Sequence, residues 1–389
     1  MGGPAVRRGP KLPCLKTSNH EPLGMKTKLL ALAALSAVTG IASAQSSNVT
    51  LFGVVDVNMR YVNNDGGSQY QLSQDGLASS RIGFRGTEDL GGGLTASFWL
   101  EGAINPDTGT TGLASINGGV NNASGLFQRR STVSLAGGFG ELRLGRDFTS
   151  TFWNLGVFDP FGTVGVGNAG NIVIAPPTFN VSVPAGGSYG TLVRDSNMVA
   201  YFLPSGIAGG LYGQVQVAAG ENSFGQKYFG GRLGYATGPF NGAVAYGKTQ
   251  ATSDIDGDQW NLGASWNFGM VMLSGYYGNI SIGDLSQDNW FIGATAPIGL
   301  WTLKASYGEV SRSGAQGPVN IDGQKASMFA IGAVYDLSKR TALYSNWSGI
   351  SNKGGARFVV APLLNAGPFA GSAPNGNSQG FEIGVKHSF

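Results

Sequence analysis

From Thr50 to the C terminus, the chain consists of short segments in which apolar and polar residues alternate. Between Gln259 and Phe268, for example, every even-numbered residue is apolar and every odd-numbered residue is polar or glycine. Because successive side chains of a strand point to opposite faces, each segment predicts a strand with one apolar and one wet face. No stretch after residue 44 reaches the roughly 18 uninterrupted apolar residues of a membrane helix. The pattern therefore predicts an all-β fold and excludes a helical membrane protein.

The composition indicates which way the apolar face turns. Only 12% of the residues are charged and 65 are glycine, whereas soluble domains carry about 25% charge. The polar faces are rich in small residues, and aromatic residues cluster near predicted strand ends, as Trp301 and Tyr307 do. A soluble sandwich would turn its apolar faces inwards, but a membrane barrel turns them to lipid and places aromatic girdles at the interfaces. We therefore expect a barrel, whose closure leaves no open sheet edge in lipid.

Sixteen segments carry the alternation, and bacterial barrels have an even number of strands. Short and long connections alternate between them, which suits turns on one side of a membrane and loops on the other. We predict a 16-stranded antiparallel transmembrane β-barrel around an aqueous lumen. The predicted strands cover about residues 49–61, 80–88, 94–104, 126–136, 141–147, 190–203, 211–219, 227–237, 241–250, 258–268, 270–279, 287–296, 300–310, 325–337, 341–350 and 378–389.

The first 44 residues are predicted to lie outside this fold. Residues 25–44 have a basic start, an apolar run over 29–41 and a small-residue site at 42–44, which is the layout of a secretory signal peptide. The first of them is a suitable initiator methionine, so residues 1–24 are interpreted as a misassigned upstream extension, with a long signal sequence as the alternative. Residues 45–389 are predicted to form a single barrel domain.

Loss of the leader changes the charge and the reactive side chains. It removes six basic residues and one acidic residue, which leaves 19 basic and 21 acidic residues and a formal net charge of −2. Nucleic-acid binding then lacks its electrostatic basis. Cys14 is lost and His387 is the one remaining histidine, so hydrolytic triads and zinc sites lack their parts. We expect no enzyme, no metal and no cofactor, although a Ser-Lys or paired-acid site stays open.

Four motifs carry a resemblance to a known family. They are Val49–Gly53 (VTLFG), Ser80–Gly91 (SRIGFRGTEDLG), Leu144–Asp147 (LGRD) and Phe381–Phe389 (FEIGVKHSF). Through them the chain from residue 45 onward resembles the trimeric general porins of Gram-negative outer membranes, in particular the glycine-rich branch typical of β-proteobacteria.

The resemblance implies a homotrimer in the outer membrane, surrounded by its lipids and lipopolysaccharide. It implies a water-filled channel for passive diffusion of small hydrophilic solutes and ions. A third extracellular loop, here from Phe148 to Tyr189, would fold into the lumen as a constriction loop. The terminal Phe389 resembles the assembly signal that the barrel-assembly machinery reads.

The resemblance also places the pore constriction. Matched to the family motifs, Arg81, Arg146 and Arg194 fall at its basic cluster, and Asp159 falls at the acidic turn of its loop. Asp159 is the one acidic residue between Phe148 and Arg194. Fixed charges act on a passing ion within about 8 Å before salt screens them, so a positive constriction that prefers anions is predicted. Further candidates for the pore lining are Arg60, Arg85, Arg130 and Arg143.

Two readings of the loop stay open. The aromatic residues of the loop, Trp153 and the phenylalanines around it, either anchor it against the barrel wall or line a path along which a solute such as a sugar slides. The second case would make the protein a substrate-specific channel, whose flux saturates with solute concentration. A bulge near Arg143 would prevent its facing from being read from the alternation.

Overall fold

A computed structural model of the protein describes residues 48–65, 67–111, 125–174, 190–316, 319–360 and 373–389. The predicted upstream extension (1–24), the predicted signal peptide (25–44) and residues 175–189 of the predicted constriction loop lie outside the described residues.

Within the described residues, sixteen antiparallel strands form a closed barrel in which each strand pairs with its neighbours in chain order. The last strand pairs with the first, with Val54 opposite Ser388. The predicted 16-stranded barrel is therefore confirmed. The strands are β1 Asn48–Asn64, β2 Arg81–Gly91, β3 Leu94–Asn105, β4 Arg130–Gly137, β5 Gly140–Phe148, β6 Arg194–Phe202, β7 Leu211–Ala218, β8 Tyr228–Thr237, β9 Phe240–Gln250, β10 Asp256–Asn267, β11 Met272–Ile282, β12 Leu285–Ile298, β13 Trp301–Ser313, β14 Lys325–Asp336, β15 Thr341–Lys353 and β16 Ser378–Ser388.

Shorter elements lie in the connections. A strand at Gly67–Gln74 pairs with the upper half of β1, from Val57 to Asn64, where β2 no longer reaches. The alternation did not predict this strand, which forms a local hairpin and pairs with β1 alone among the described strands. The remaining short elements are strands at Thr110–Thr111, Ala315–Gln316 and Val319–Asn320 and a 3-10 helix at Ile207–Gly209.

The two faces of the strands separate as the alternation predicts. On β10, Trp260, Leu262 and Trp266 are exposed on the outside of the barrel, whereas Gln259 and Asn261 are buried on the inside. An apolar outer surface is the surface that lipid requires, and the polar residues inside can hydrogen-bond to water or to a lumenal segment. None of the helices in the described part of the chain is long and apolar enough to cross a membrane.

The connection between β5 and β6 folds into the lumen and contains two helices, α1 (Ser150–Phe158) and α2 (Gly170–Val173). The hydroxyl of Thr149 caps α1 by accepting a hydrogen bond from the backbone N–H of Phe152. Side chains of α1 then bond to the wall, because the Ser150 hydroxyl donates to Gln216 at 2.6 Å. The lumenal loop is confirmed. The two helices in it were not predicted, because the side chains of α1 bond to strands that are distant in the sequence.

Glycine on the inner face of the strands makes room for this loop. A Cβ atom built on Gly263 would collide with the ring of Phe158, and one built on Gly293 would collide with Pro160. Close packing of a loop on a sheet requires wall positions without side chains. Part of the glycine on the inner face therefore serves to seat a loop inside the barrel.

Candidate pore constriction

Four arginines and one glutamate meet on the wall formed by β2 to β6. The Nε atom of Arg129, the residue before β4, donates to Oε1 of Glu101 at 2.6 Å, and the Nε atom of Arg81 lies 3.9 Å from the same oxygen. Arg194 donates from its Nε atom to the backbone carbonyl of Arg129 at 2.9 Å and lies within electrostatic range of Arg146. We call these five residues the arginine cluster. Its formal charge is +3, because one carboxylate faces four guanidinium groups.

Arg146 reaches the cluster from an irregular part of β5. A bulge separates Gly145 from Asp147 in the pairing with β6, and Gly145 adopts a φ of +125°, a conformation that glycine tolerates. The Arg146 side chain donates to the carbonyl of Gln128 and to the hydroxyl of Ser196, both at 2.7 Å. Both partners are neutral, so the charge of Arg146 has no acid bonded to it among the described residues.

Arg194 is the most enclosed member of the cluster. It is 7% exposed, and its guanidinium lies over the ring of Phe148 at 4.3 Å from the ring centre. An aromatic face holds the planar group in one orientation and leaves its N–H edge free to hydrogen-bond. The last residue of β5 therefore orients one of the predicted constriction arginines.

Arg130 and Arg143 form a second, neutral set on the same wall. Both approach one carboxylate oxygen of Asp147, at 3.4 and 2.7 Å, and Arg143 also bonds to Glu141 at 2.8 Å. Two arginines thus face two acids. The structure places both residues on the inner side with their charges compensated, and their role in lining the pore stays a prediction.

Arg60 and Arg85 have opposite surroundings. Arg60 is 1% exposed and is held by Glu382 at 2.7 Å and by Asp75 at 3.4 Å. It faces inward on β1 as predicted, but it lies behind the pore surface, because the lumenal contents cover it. Arg85 is exposed and stacks on Phe52 at 5.4 Å. Of the two, Arg85 is the one in contact with solution.

Asp159 ends α1 and builds the turn that follows it. Its carboxylate accepts backbone hydrogen bonds from Phe161, Thr163 and Ala169 at 3.0, 2.8 and 3.1 Å. Burial raises the pKa of Asp159, while these three donors and Lys304 act against the rise. The structure thus places the predicted acidic residue inside the loop, where it shapes the turn and is 6% exposed.

The lumenal loop covers the wall opposite the arginine cluster. Helix α1 packs against β7 to β11, and α2 packs against β12 to β14. Further along, the backbone N–H of Val166 donates to Glu382 on β16 at 3.2 Å, and the hydroxyl of Ser348 donates to the Val166 carbonyl at 2.6 Å. The main contacts of both helices are therefore with strands other than β2 to β6, which carry the cluster.

Two members of the cluster were not predicted. Glu101 lies on the wet face of β3, in the same register as Thr95 and Ser97, so the alternation could have identified it. Arg129 directly precedes β4, and its neighbour Arg130 was the predicted lining candidate instead. What brings Arg129 to Glu101 is a backbone hydrogen bond of 3.0 Å from the Arg129 N–H to the Glu101 carbonyl, which no local pattern reveals.

The comparisons with known proteins agree with this architecture. Residues 31–355 match the family model described as Gram-negative porin. The chain is 38% identical to outer membrane porin protein 32 of Delftia acidovorans, over 94% of this chain and all of that protein. It is 29% identical to an outer membrane porin protein of Bordetella pertussis, over 84% of this chain and 95% of that one.

Among solved structures, an anion-selective porin from Comamonas acidovorans is 35% identical and matches with a TM-score of 0.73, over 88% of this chain and all of that chain. The closed barrel, the lumenal loop and the full-length similarity identify the family that the motifs indicated. The chain belongs to the Gram-negative porins and is a channel of the bacterial outer membrane.

Proposed function

We propose that this porin is an anion-preferring channel for small hydrophilic solutes and that the arginine cluster sets the preference. The observation that carries the proposal is the imbalance of charge on this wall, where Glu101 is the one acid of the described residues in ion-pair contact with Arg81, Arg129, Arg146 or Arg194. Fixed charges that line a narrow zone act on an ion before salt screens them, over about 8 Å at physiological ionic strength. A positive wall lowers the energy of a passing anion.

The loop does not oppose this charge. Asp159 is its one acidic residue between Phe148 and Arg194, and its carboxylate is enclosed by three backbone N–H groups. The relative from Comamonas acidovorans, described as anion-selective, adds support. We therefore expect passage to be governed by the wall of β2 to β6 and not by the loop opposite.

The test is single-channel recording of the refolded chain from residue 45 in a planar bilayer with a salt gradient. We expect a reversal potential on the anion-preferring side. A cation-preferring potential would contradict the proposal and would place the selectivity with other charges. Solute flux is measured in the same preparation, because linear dependence on concentration characterises a general porin and saturation characterises the substrate-specific alternative.

We also propose that the chain assembles as a homotrimer among the lipids and lipopolysaccharide of the outer membrane. Met59, Tyr70 and Leu72 form an exposed patch on β1 and the strand that pairs with it, and in a trimer a neighbouring subunit would cover such a patch in place of lipid. Conductance steps that close in threes would be the expected signature.

The relatives of this chain are channels, and no group of three His, Cys, Asp or Glu in its described residues is arranged to hold a metal ion.

Phe389 is proposed as the signal for the barrel-assembly machinery, and its contacts give it a second role. Its backbone exchanges two hydrogen bonds of 3.1 Å with Gly53, and its ring fills the space that a side chain at position 53 would need. We expect Phe389→Ala to lower the amount of folded barrel in the outer membrane several-fold. Folded barrel is measured by its heat-modifiable mobility on gels of isolated membranes.

Phe381→Ala is the matched control. Phe381 lies on β16, which Phe389 directly follows, and both residues are 43% exposed. The control loses similar apolar surface but keeps the terminal residue that meets Gly53. Equal losses of folded barrel in the two variants would show that aromatic surface, and not the terminal position, is what matters.

A further inference from the structure

A pocket of about 450 Å³ lies beside the connection between β6 and β7, at the barrel end that carries the short turns, and shares no residue with the arginine cluster. Pockets of roughly 300–1,000 Å³ are the size that small ligands occupy. Its wall brings together three arginines and three aromatic rings, which are Arg130, Arg143, Arg232, Trp153, Phe202 and Tyr212.

Aromatic rings hold the three guanidinium groups in fixed orientations, two of them from the pocket wall and one, Trp99, from outside it. Arg130 lies over Trp99 at 4.6 Å, Arg143 lies over Phe202 at 4.1 Å and Arg232 lies over Tyr212 at 4.8 Å from the ring centre. A stacked guanidinium keeps its in-plane N–H groups for hydrogen bonds, and it loses less conformational freedom when it binds an anion. The pocket is therefore pre-organised for a planar, negatively charged group.

Arg232 is the arginine of the pocket whose charge is not balanced by a paired acid among the described residues. Arg130 and Arg143 are paired with Asp147, but Arg232 bonds only to neutral groups, the side-chain oxygen of Asn154 at 2.9 Å and the hydroxyl of Tyr212 at 3.1 Å. No acid lies within ion-pair distance of Arg232 among the described residues. A half-buried cation without an acid favours an anion from solution.

We propose that this pocket binds a small aromatic carboxylate, with the carboxylate on Arg232 and the ring against the aromatic side chains of the wall. An inorganic anion would use the arginine but not the rings, and a sugar would leave the charge of Arg232 unmatched. An aromatic acid matches both the charge of Arg232 and the aromatic rings of the pocket. The inference rests on the channel being a porin with an accessible lumen, but it does not depend on the anion preference of the arginine cluster.

The test uses benzoate, with acetate as the anion that lacks a ring. Benzoate is added to the refolded channel in a planar bilayer, and its binding to the detergent-solubilised barrel is followed separately by calorimetry. We expect benzoate to interrupt the ion current in a saturable manner and acetate to pass without interruption. Arg232→Gln, which breaks no ion pair, should raise the half-blocking concentration about tenfold or more.

Lys386→Gln is the matched control, because Lys386 is a partly buried cation on the inner face of β16, away from the pocket. It should leave the half-blocking concentration within about twofold of the original. Failure of benzoate to bind in calorimetry, or an equal effect of the two substitutions, would overturn the proposal. A barrel that binds benzoate but conducts no current would keep the site and contradict the channel function instead.

Discussion

Replacing Arg81 and Arg146 together by glutamate is expected to turn the ion preference of the channel from anions to cations. The arginine cluster has a formal charge of +3, and two reversals lower it by four, to −1. These positions are chosen because the 2.6 Å pair between Arg129 and Glu101 stays intact, and because the bonded partners of Arg146 are neutral. The measurement is the reversal potential of single channels in a salt gradient.

The control for this prediction reverses the same amount of charge outside the lumen. Lys339 and Arg340 lie exposed in the short turn between β14 and β15, and we expect their double replacement by glutamate to shift the reversal potential little. An unchanged potential in the Arg81 and Arg146 variant, with normal folding, would remove the cluster as the origin of selectivity.

Replacing Gly263 by valine is expected to narrow the passage and weaken the fold. A Cβ atom at this position collides with the ring of Phe158 at the end of α1, so the helix must move off the wall. Overpacking of this kind costs about 1–3 kcal/mol. We expect a smaller and noisier single-channel conductance, together with a lower thermal unfolding midpoint, in the same refolded preparation.

Gly275→Val serves as the comparison, because Gly275 lies on the neighbouring strand β11 and the nearest atom to a Cβ built there is 3.9 Å away. This variant should keep the conductance of the original channel. Matching conductances for the valine variants at 263 and 275 would mean that the seat of α1 on the wall does not control the width of the passage.

The sequence predicted the barrel well because its signal is local. An alternation such as that of β10 requires only that neighbouring side chains point to opposite faces, and the structure confirms it. Contacts between distant segments were harder to predict. No residue near Arg60 in the sequence indicates that Arg60 will form a buried ion pair with Glu382, because that pairing depends on closure of the barrel by its last strand.

The composition of the cluster was predictable only in part for a related reason. Which side chains stand opposite one another depends on the register between strands, and the connections set that register. Arg129 therefore meets Glu101, and the bulge after Gly145 places Arg146, in ways that the alternation does not reveal. The anion preference that follows from these residues stays a prediction until the channel is recorded.

Glu382 links the final strand to the lumenal loop. Its carboxylate holds Arg60 of the first strand and the backbone of Val166 in the loop at the same time. The last strand synthesised therefore supplies the anchor for a loop that was translated some two hundred residues earlier. It follows that a barrel still open at its seam lacks this anchor, so the lumenal loop takes its final position only when the barrel closes.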